Sequence, residues 1–365
     1  MEILLILAAF ILGFTIVIIT VPPILRVAKA KRLYDSFDER KIHTQVVPPL
    51  GGIAIFIAFI ISTIVASDGL TFFSLKYIIA AVMIMFFIGL KDDLLVISAR
   101  KKLMIQIIAA ILLITLGDIR FTNLHGILGT YQIHFFESFT ITLFAIVGII
   151  NAFNLIDGID GLASGLSMLA ATVFGTWFYI SGNYQLSIMS FALVGSVSAF
   201  FLYNVFGNTN KLFMGDTGSL IIGTIISILV IKFNELNISQ QTLFYIGAAP
   251  SVSFAIIIVP LIDTLRVMSI RIRQKRSPFS PDNNHIHHRL LTLIPNHLKV
   301  TLIIVTVNVM LIAVALLFNH IGLNVNIQMV CIFLLGVALS FVPSILIKHK
   351  SIKKTTKAKI EYSKL

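Results

Sequence analysis

Carboxylates stand where long apolar runs of this chain end. Asp92 and Asp93 lie in the stretch GLKDDL, Asp157 and Asp160 lie in NAFNLIDGIDGLASG, and Asp216 lies in KLFMGDTGSL. The chain has only 16 acidic residues among 365, so their concentration at three such junctions needs a reason. Because ionisable groups at the edge of a bilayer are energetically expensive, these acids indicate a functional site.

The adjacent carboxylates of Asp92 and Asp93 indicate a bound cation. Like charges repel strongly where the dielectric is low, and a divalent cation is the usual compensation. Hard cations such as Mg²⁺ take carboxylate oxygens and keep water and phosphate oxygens as further ligands. Simpler interpretations stay open for the other acids. Asp216 is a good helix N-cap, and Asp157 and Asp160 lie either on one helix face or in a glycine-containing turn.

Glycines flank these acids and fit a phosphate-binding site. They are Gly158, Gly161, Gly165, Gly215 and Gly218. A residue without a side chain lets a ligand approach the backbone closely, and the N-termini of helices offer N–H groups to phosphate oxygens. Glycine also helps membrane helices to pack, so a single glycine is weak support.

The segment 265–300 is long, basic and rich in histidine. Within the stretch SPFSPDNNHIHHRL it contains His285, His287, His288 and Arg289. A zinc site is disfavoured because no Cys follows at zinc spacing and Asp282 is the only carboxylate nearby in the sequence. Histidines with arginines suit a diphosphate better, since both donate hydrogen bonds to phosphate oxygens. Binding to a lipid surface is the alternative for the arginines.

The composition shows which elements must position these residues. The chain is 57% hydrophobic and 12% charged, whereas soluble proteins carry about 25% charged residues. Apolar runs of about 20 residues predict membrane-spanning helices. We predict an all-α polytopic fold with about eleven spans, near 3–22, 50–67, 74–90, 103–117, 138–153, 161–181, 186–203, 218–232, 242–264, 299–318 and 327–347. Because the runs at 103–117 and 218–232 are short, ten spans is the alternative.

The basic residues predict the orientation. With eleven spans, 25 of the 28 Lys and Arg residues fall on one side, which the positive-inside rule makes cytoplasmic. The N-terminus is then outside. We predict one catalytic membrane domain over 1–347 and a basic cytoplasmic tail over 348–365 that binds anionic lipid. The cytoplasmic site loops lie near 26–49, 91–102, 154–160, 204–217 and 265–298. Nucleic-acid binding is excluded because no soluble basic domain exists.

The motifs together resemble the polyprenyl-phosphate N-acetylhexosamine-1-phosphate transferases. The resemblance runs from PPLGG at 48–52 to HIHHRLL at 285–291, through GLKDDLLVISARKKLMIQ, NAFNLIDGIDGLA and LFMGDTGSL. The related phospho-MurNAc-pentapeptide translocases typically have three consecutive histidines and a Lys soon after the paired aspartates. This chain has His-Ile-His-His and Leu-Leu-Val at those places, which favours the N-acetylhexosamine branch.

The resemblance implies a reaction at the cytoplasmic face of a bacterial inner membrane. A UDP-N-acetylhexosamine and undecaprenyl phosphate would give a lipid-linked diphospho-sugar and UMP, with Mg²⁺, or Mn²⁺ as a substitute. GlcNAc is the expected sugar, and a homodimer is expected by analogy with the family. Such an exchange of one phosphoanhydride for another asks mainly for positioning and charge neutralisation.

The resemblance also implies roles for single residues. Asp216 would bind the metal, Asp92 would activate or orient the lipid phosphate, and Asp93 would assist at the metal or orient its neighbour. Lys102 matches a lysine near the phosphates. The remaining matches form a substrate-binding group: Asn154 and Asp157 at the nucleotide, Phe213 stacked on uracil, and His285, His287, His288 and Arg289 at the diphosphate.

Three other interpretations stay open. A secondary transporter also has many spans and intramembrane acids, but its acids tend to lie at the midplane, beside broken helices. A scaffold protein with an inactive site is disfavoured by the intact acids and histidines. A phospho-MurNAc-pentapeptide transferase would use the same chemistry on a different donor.

Overall fold

The computed structural model describes residues 1–33, 47–68, 72–239, 244–277 and 284–362, with side chains to residue 349. The helices are α1 (Glu2–Lys31), α2 (Gly51–Ala66), α3 (Leu75–Leu94), α4 (Ala99–Thr115), α5 (Phe135–Ile156), α6 (Leu162–Ile180), α7 (Tyr184–Phe206), α8 (Gly215–Leu236), α9 (Ala249–Ile256), α10 (Ile258–Arg273), α11 (Ile286–Leu293), α12 (His297–His320) and α13 (Val325–Tyr362). Parts of two predicted cytoplasmic segments, 34–46 and 278–283 with Asp282, lie outside the described residues, as do the side chains of the tail from residue 350.

Among the described helices, seven are long and apolar enough to cross a membrane, namely α1, α5, α6, α7, α8, α12 and α13. Helices α9 and α10 are bent by 75° at a short break and make an eighth if they form one span. The chain is therefore a predominantly helical, multi-pass membrane protein. The other predicted spans overlap α2, α3 and α4. Of these, α2 and α4 have 16 and 17 residues, and α3 carries charged residues near both ends.

Helix α8 is the centre of the bundle. Residues 217–231 are all buried, and α8 packs against α2, α3 and α5. A helix that is apolar on all sides belongs in such a position, enclosed by other helices. Because Asp216 lies in its first turn, the central helix carries this carboxylate to the place where its neighbours end.

Helices α3 and α8 approach each other through a glycine. A Cβ atom on Gly89 would lie 2.5 Å from the Cα atom of Thr217, so no larger residue fits without moving one helix. Gly89 lies one turn before Asp93 on α3. The close approach therefore brings the carboxylate of Asp93 to the N-terminus of α8.

A short hairpin departs from the predicted all-helical fold. Strands β1 (Asn123–Ile127) and β2 (Thr130–Gln132) pair antiparallel, with Asn123 opposite Gln132. The hairpin adjoins the C-terminal end of α8, where the ring of His125 lies 3.1 Å from the carbonyl oxygen of Asn234. Since α8 has 22 residues, the hairpin and Asp216 are about 30 Å apart along the helix axis.

Candidate active site

A lysine joins two of the predicted catalytic acids. The Nζ atom of Lys102, in the first turn of α4, lies 2.5 Å from Asp92 Oδ2 and 2.6 Å from Asp216 Oδ2. The second Asp92 oxygen accepts a hydrogen bond from the backbone N–H of Ile97 at 2.7 Å, which fixes the turn between α3 and α4. Residues from α3, α4 and α8 thus form one charged cluster.

Asp93 has a different set of partners from its neighbour. Its Oδ1 atom accepts from the backbone N–H of Asp216 at 2.7 Å, and its Oδ2 atom accepts from the N–H and hydroxyl of Thr217. The carboxylate on α3 therefore caps the N-terminus of α8, where negative charge is stabilised. Burial raises the pKa of Asp93 to about 7, although the hydrogen bonds from Thr217 act in the opposite direction.

Backbone pairing sets the entrance to α8. The N–H groups of Gly51 and Gly52, at the start of α2, donate to the carbonyl oxygens of Phe213 and Met214 at 2.9 Å. Gly215 follows with a φ of +71°, and a Cβ atom there would lie 2.3 Å from the carbonyl oxygen of Pro49. Glycine is needed in this tight, left-handed turn. The motifs PPLGG and LFMGDTG are therefore one structural unit.

Helix α5 supplies the third side of the cluster. Asn154 Nδ2 donates to Asp216 Oδ1 at 2.6 Å and to Ser219 Oγ at 2.9 Å, which fixes the orientation of the Asp216 carboxylate. Asp157 follows at the end of α5, and no hydrogen bond or ion pair to its carboxylate is found among the described residues. Burial, and then the negative charges of Asp216 and other nearby acids, raise the pKa of Asp157 to about 8.

A second polar group adjoins the first through Asp160. The Oδ2 atom of Asp160 accepts a hydrogen bond from Lys211 Nζ at 2.7 Å and lies 2.9 Å from His297 Nδ1. Burial alone would raise the pKa of Asp160, but His297 and Lys211 hold it below its usual value. The Lys211 ammonium also lies 5.6 Å from the ring centroid of Phe213, so the predicted stacking ring sits beside this group.

The histidine segment is organised by Asp263 on α10. His285 Nδ1 lies 2.8 Å from Asp263 Oδ2, and the backbone N–H of Ile286 donates to Asp263 Oδ1 at 2.9 Å. Asp263 is the carboxylate partner that the sequence analysis did not assign to the histidines. It lies 22 positions before His285, and the fold, not local spacing, brings the two together.

His287 connects this segment to the acids. Its ring is buried, both ring nitrogens are without a hydrogen-bond partner among the described residues, and its Nε2 atom lies against Gly158, next to Asp157. Burial lowers the pKa of His287 to about 3, despite the opposing charge of Asp263. His288 lies alongside, with its ring centroid 4.3 Å from that of His287.

Arg289 points elsewhere. Its guanidinium donates to Ser344 Oγ on α13 at 2.6 Å and to Asn284 Oδ1 at 2.8 Å. The first bond joins α11 to α13, and the second holds the residue directly before His285. The contacts of Arg289, a predicted site residue, are therefore those of a residue that anchors α11 to α13.

The acids suit a magnesium ion. In the part of the chain that the structure describes, no three His, Cys, Asp or Glu side chains converge as a preformed metal site. Mg²⁺ needs no such cage, because it commonly takes one or two carboxylates and fills its shell with water and substrate phosphates. Asp92 and Asp216 face one shared cation, Lys102, and offer the hard oxygen donors that Mg²⁺ prefers.

Sequence reasoning missed Lys211, Thr217, His297 and the partnership of Asp263 with His285. The sequence did offer one indication for Lys211, because it is the only basic residue between α7 and α8. The other three residues resemble ordinary helix-end or loop residues, and only the tertiary contacts reveal their partners.

Comparisons with known proteins show what the chain is similar to. The family model for glycosyl transferase family 4 matches residues 75–234. A probable undecaprenyl-phosphate N-acetylglucosaminyl 1-phosphate transferase of Bacillus subtilis (strain 168) is 32% identical over 300 residues, 82% of this chain and 81% of the relative. The undecaprenyl-phosphate alpha-N-acetylglucosaminyl 1-phosphate transferase of Escherichia coli (strain K12) is 34% identical over 270 residues, 73% and 71% of the two chains. The protein of that name from Yersinia pestis is 33% identical over 263 residues, 71% and 69%.

Proposed function

The chain belongs to glycosyl transferase family 4, and from this membership we propose that it transfers GlcNAc-1-phosphate from UDP-GlcNAc to undecaprenyl phosphate and releases UMP. One observation carries the proposal. Asp92, Lys102 and Asp216 form a single charged cluster where three apolar helices end. A lipid phosphate in a membrane and a water-soluble nucleotide can meet only at such a boundary.

We further propose eleven spans, an outside N-terminus and a cytoplasmic active site in a bacterial inner membrane. Three observations support this arrangement. Each predicted span overlaps a helix, 25 of 28 basic residues fall on one side of that topology, and the acid cluster lies on the same side. Anionic lipid at the basic tail and a homodimer complete the proposed set of partners.

The proposed cofactor is Mg²⁺, with Mn²⁺ as a substitute. Asp216 is the proposed principal ligand, and the carboxylate of Asp92 lies beside it on Lys102. When bound, the ion supplies charge neutralisation for the diphosphate of the donor. Both Asp93 oxygens accept bonds from the start of α8, so Asp93 acts by positioning Asp216 and not as a further ligand.

The protein's own groups do the remaining work. Lys102 compensates the negative charge of Asp92 and Asp216 and would meet the phosphates as they approach. Asp92 orients the lipid phosphate, which is mostly dianionic at neutral pH because its second pKa is about 6. Asn154 holds the Asp216 carboxylate, and Phe213 offers a ring to the uracil. With both reacting phosphates fixed, in-line attack needs no covalent enzyme intermediate.

The histidines are the proposed diphosphate contacts. His287 has two buried nitrogens that no described residue satisfies, and a buried polar group of this kind calls for a partner. His285 and His288 lie beside it, with ring centroids 5.5 and 4.3 Å from that of His287. A phosphate oxygen bound at this segment would accept a hydrogen bond from the single N–H of the neutral His287 ring.

UMP release by the detergent-purified protein tests the proposal. We expect release from UDP-GlcNAc that requires both undecaprenyl phosphate and Mg²⁺, and we expect Asp216→Asn to abolish it. The matched control is Asp118→Asn, which removes an exposed carboxylate paired with Arg120 and should leave the rate unchanged.

The rival functions give different results in the same preparation. Release from UDP-MurNAc-pentapeptide but not from UDP-GlcNAc would assign the protein to the translocase reaction. Counterflow of nucleotide sugar into vesicles that lack any lipid acceptor would identify a transporter. An Asp216→Asn variant with near-normal activity would refute the metal assignment.

A further inference from the structure

We propose that Asp263 is a positioning residue that holds the histidine segment in the geometry needed to bind the donor diphosphate. The inference rests on the proposed function, because it names a residue that acts on that same site through His285. Asp263 lies on α10, outside every motif that the sequence analysis assigned to catalysis.

The contacts of Asp263 converge on the first residues of the histidine segment. One oxygen faces His285 Nδ1 at 2.8 Å, and the other accepts the backbone N–H of Ile286 at 2.9 Å. His287 Nδ1 lies 4.0 Å from the oxygen that faces His285. One carboxylate therefore sets both the ring of His285 and the entry of the chain into α11.

The Asp263 side chain is only 1% exposed, so its charge must be compensated inside the protein. Arg266 supplies one cation, with its guanidinium 3.3 Å from Asp263 Oδ1, and it also donates to the carbonyl oxygen of Asn284. Arg266 thus holds the residue that directly precedes His285. Asp263 and Arg266 together hold the start of the histidine segment through both its backbone and the side chain of His285.

This arrangement determines which nitrogen of His285 is available. When Nδ1 donates to a carboxylate, Nε2 is the nitrogen left for a ligand. An imidazolium donates from both nitrogens at once, and a buried carboxylate behind the ring compensates its charge. Asp263 thereby gives His285 the geometry of a phosphate donor. Without Asp263, the ring would be free to rotate and to present either nitrogen.

The alternative is that Asp263 only caps α11. A capping role needs the bond to Ile286 but not the bond to His285. The two roles separate in Asp263→Asn, because an asparagine oxygen still accepts from a backbone N–H, whereas the amide does not compensate an imidazolium.

The first experiment is a double-mutant cycle on UMP release. We expect Asp263→Asn to lower kcat/KM for UDP-GlcNAc roughly 10- to 100-fold, as loss of such supporting contacts does elsewhere. His285→Gln should cost at least as much, and the double variant should lose no more than His285→Gln alone. The control is Ser344→Ala, which removes the bond from Arg289 to α13 but leaves Asp263 and His285 in place, and which should leave kcat/KM within about twofold.

The second experiment does not depend on turnover. In full-length protein labelled with ¹⁵N-histidine, the resonances of His285 are assigned by their loss in His285→Gln. Wild type should show a hydrogen-bonded Nδ1–H, and Asp263→Asn should shift that resonance. An unchanged resonance, or losses that add in the cycle, would overturn the positioning role. A wild-type protein that releases no UMP but shows the bonded Nδ1–H would refute the proposed function and leave Asp263 as the partner of His285.

Discussion

At the scale of single residues, the acids of the site differ in the groups that they contact. Asp92 and Asp216 share the ammonium of Lys102, Asp160 is held by Lys211, and Asp263 is held by Arg266. The carboxylate of Asp93 instead accepts hydrogen bonds from the backbone N–H groups of Asp216 and Thr217. These pairings give equally charged side chains different tasks.

Replacing Lys102 with Met should lower kcat/KM for UMP release by about 100-fold, the usual cost of removing one aligned charge from a phosphoryl-transfer site. Without its ammonium, the carboxylates of Asp92 and Asp216 face each other and repel the phosphates. Lys101→Met is the matched control, since Lys101 is the exposed neighbour, and it should stay within about twofold. Equal losses in the two variants would show that the ion pairs of Lys102 with Asp92 and Asp216 are not needed for the reaction.

The group around Asp160 should make stability depend on pH. An unfolded Asp has a pKa of about 3.9, and His297 and Lys211 lower the pKa of Asp160 in the folded protein. The folded state is therefore favoured above about pH 4, and this contribution is lost as the pH falls further, through the lowered pKa.

Asp160→Asn should thus lower the free energy of unfolding at pH 7 by roughly 1–3 kcal/mol. The difference from wild type should shrink towards pH 3. Thermal unfolding followed by the fluorescence of the buried Trp177 measures it. Asp118→Asn is the control. It removes an exposed ion pair and should change stability little at any pH. A deficit that is the same at pH 7 and pH 3 would contradict the assigned charge pairing.

At the scale of helices, the site depends on how closely α3 approaches α8. Gly89→Ala would place a Cβ atom 2.5 Å from the Cα atom of Thr217, and backbone atoms cannot yield as a side chain can. We expect a loss of roughly 1–3 kcal/mol in stability, together with lower UMP release, because Asp93 caps α8 one turn away. Thermal unfolding and the activity assay measure the two effects.

Gly148→Ala is the control for that variant. Gly148 lies on α5, and a Cβ atom there would meet nothing within 4 Å. Alanine should be neutral or should stabilise the helix by up to about 1 kcal/mol. If both variants behaved alike, the close approach of α3 and α8 would not limit the site.

The sequence predicts the helices better than their contacts. Apolar runs follow directly from the need to face lipid, so each predicted span overlaps a helix. The acids of α3 and α8 lie around Lys102, and Asn154 of α5 contacts Asp216. The pairing of Asp263 with His285 and the turning of Arg289 towards Ser344 depend on where α10, α11 and α13 pack. Spacing along the chain does not encode these contacts. The hairpin at 123–132 was also not predicted, since its strands have five and three residues.

At the scale of the whole molecule, the protein has two unlike ends. One end holds Asp216 and the other acids of the candidate site, and the other end holds the hairpin around His125. Helix α8 separates them by about 30 Å, close to the thickness of the hydrocarbon core. A membrane boundary at each end of α8 therefore accounts for the position of both features.

This polarity predicts opposite accessibility for two exposed apolar residues. Val96, between α3 and α4, is 100% exposed, and Leu128, at the hairpin tip, is 91% exposed. In a variant that lacks the single cysteine, Cys331→Ala, we introduce Val96→Cys or Leu128→Cys. A membrane-impermeant maleimide should label Leu128→Cys on intact spheroplasts, and Val96→Cys only after permeabilisation, because basic loops remain in the cytoplasm. The cysteine-free protein is the control for background labelling. The reverse pattern would invert the proposed topology, and labelling of both residues on intact spheroplasts would mean that α8 does not separate the two ends across the membrane.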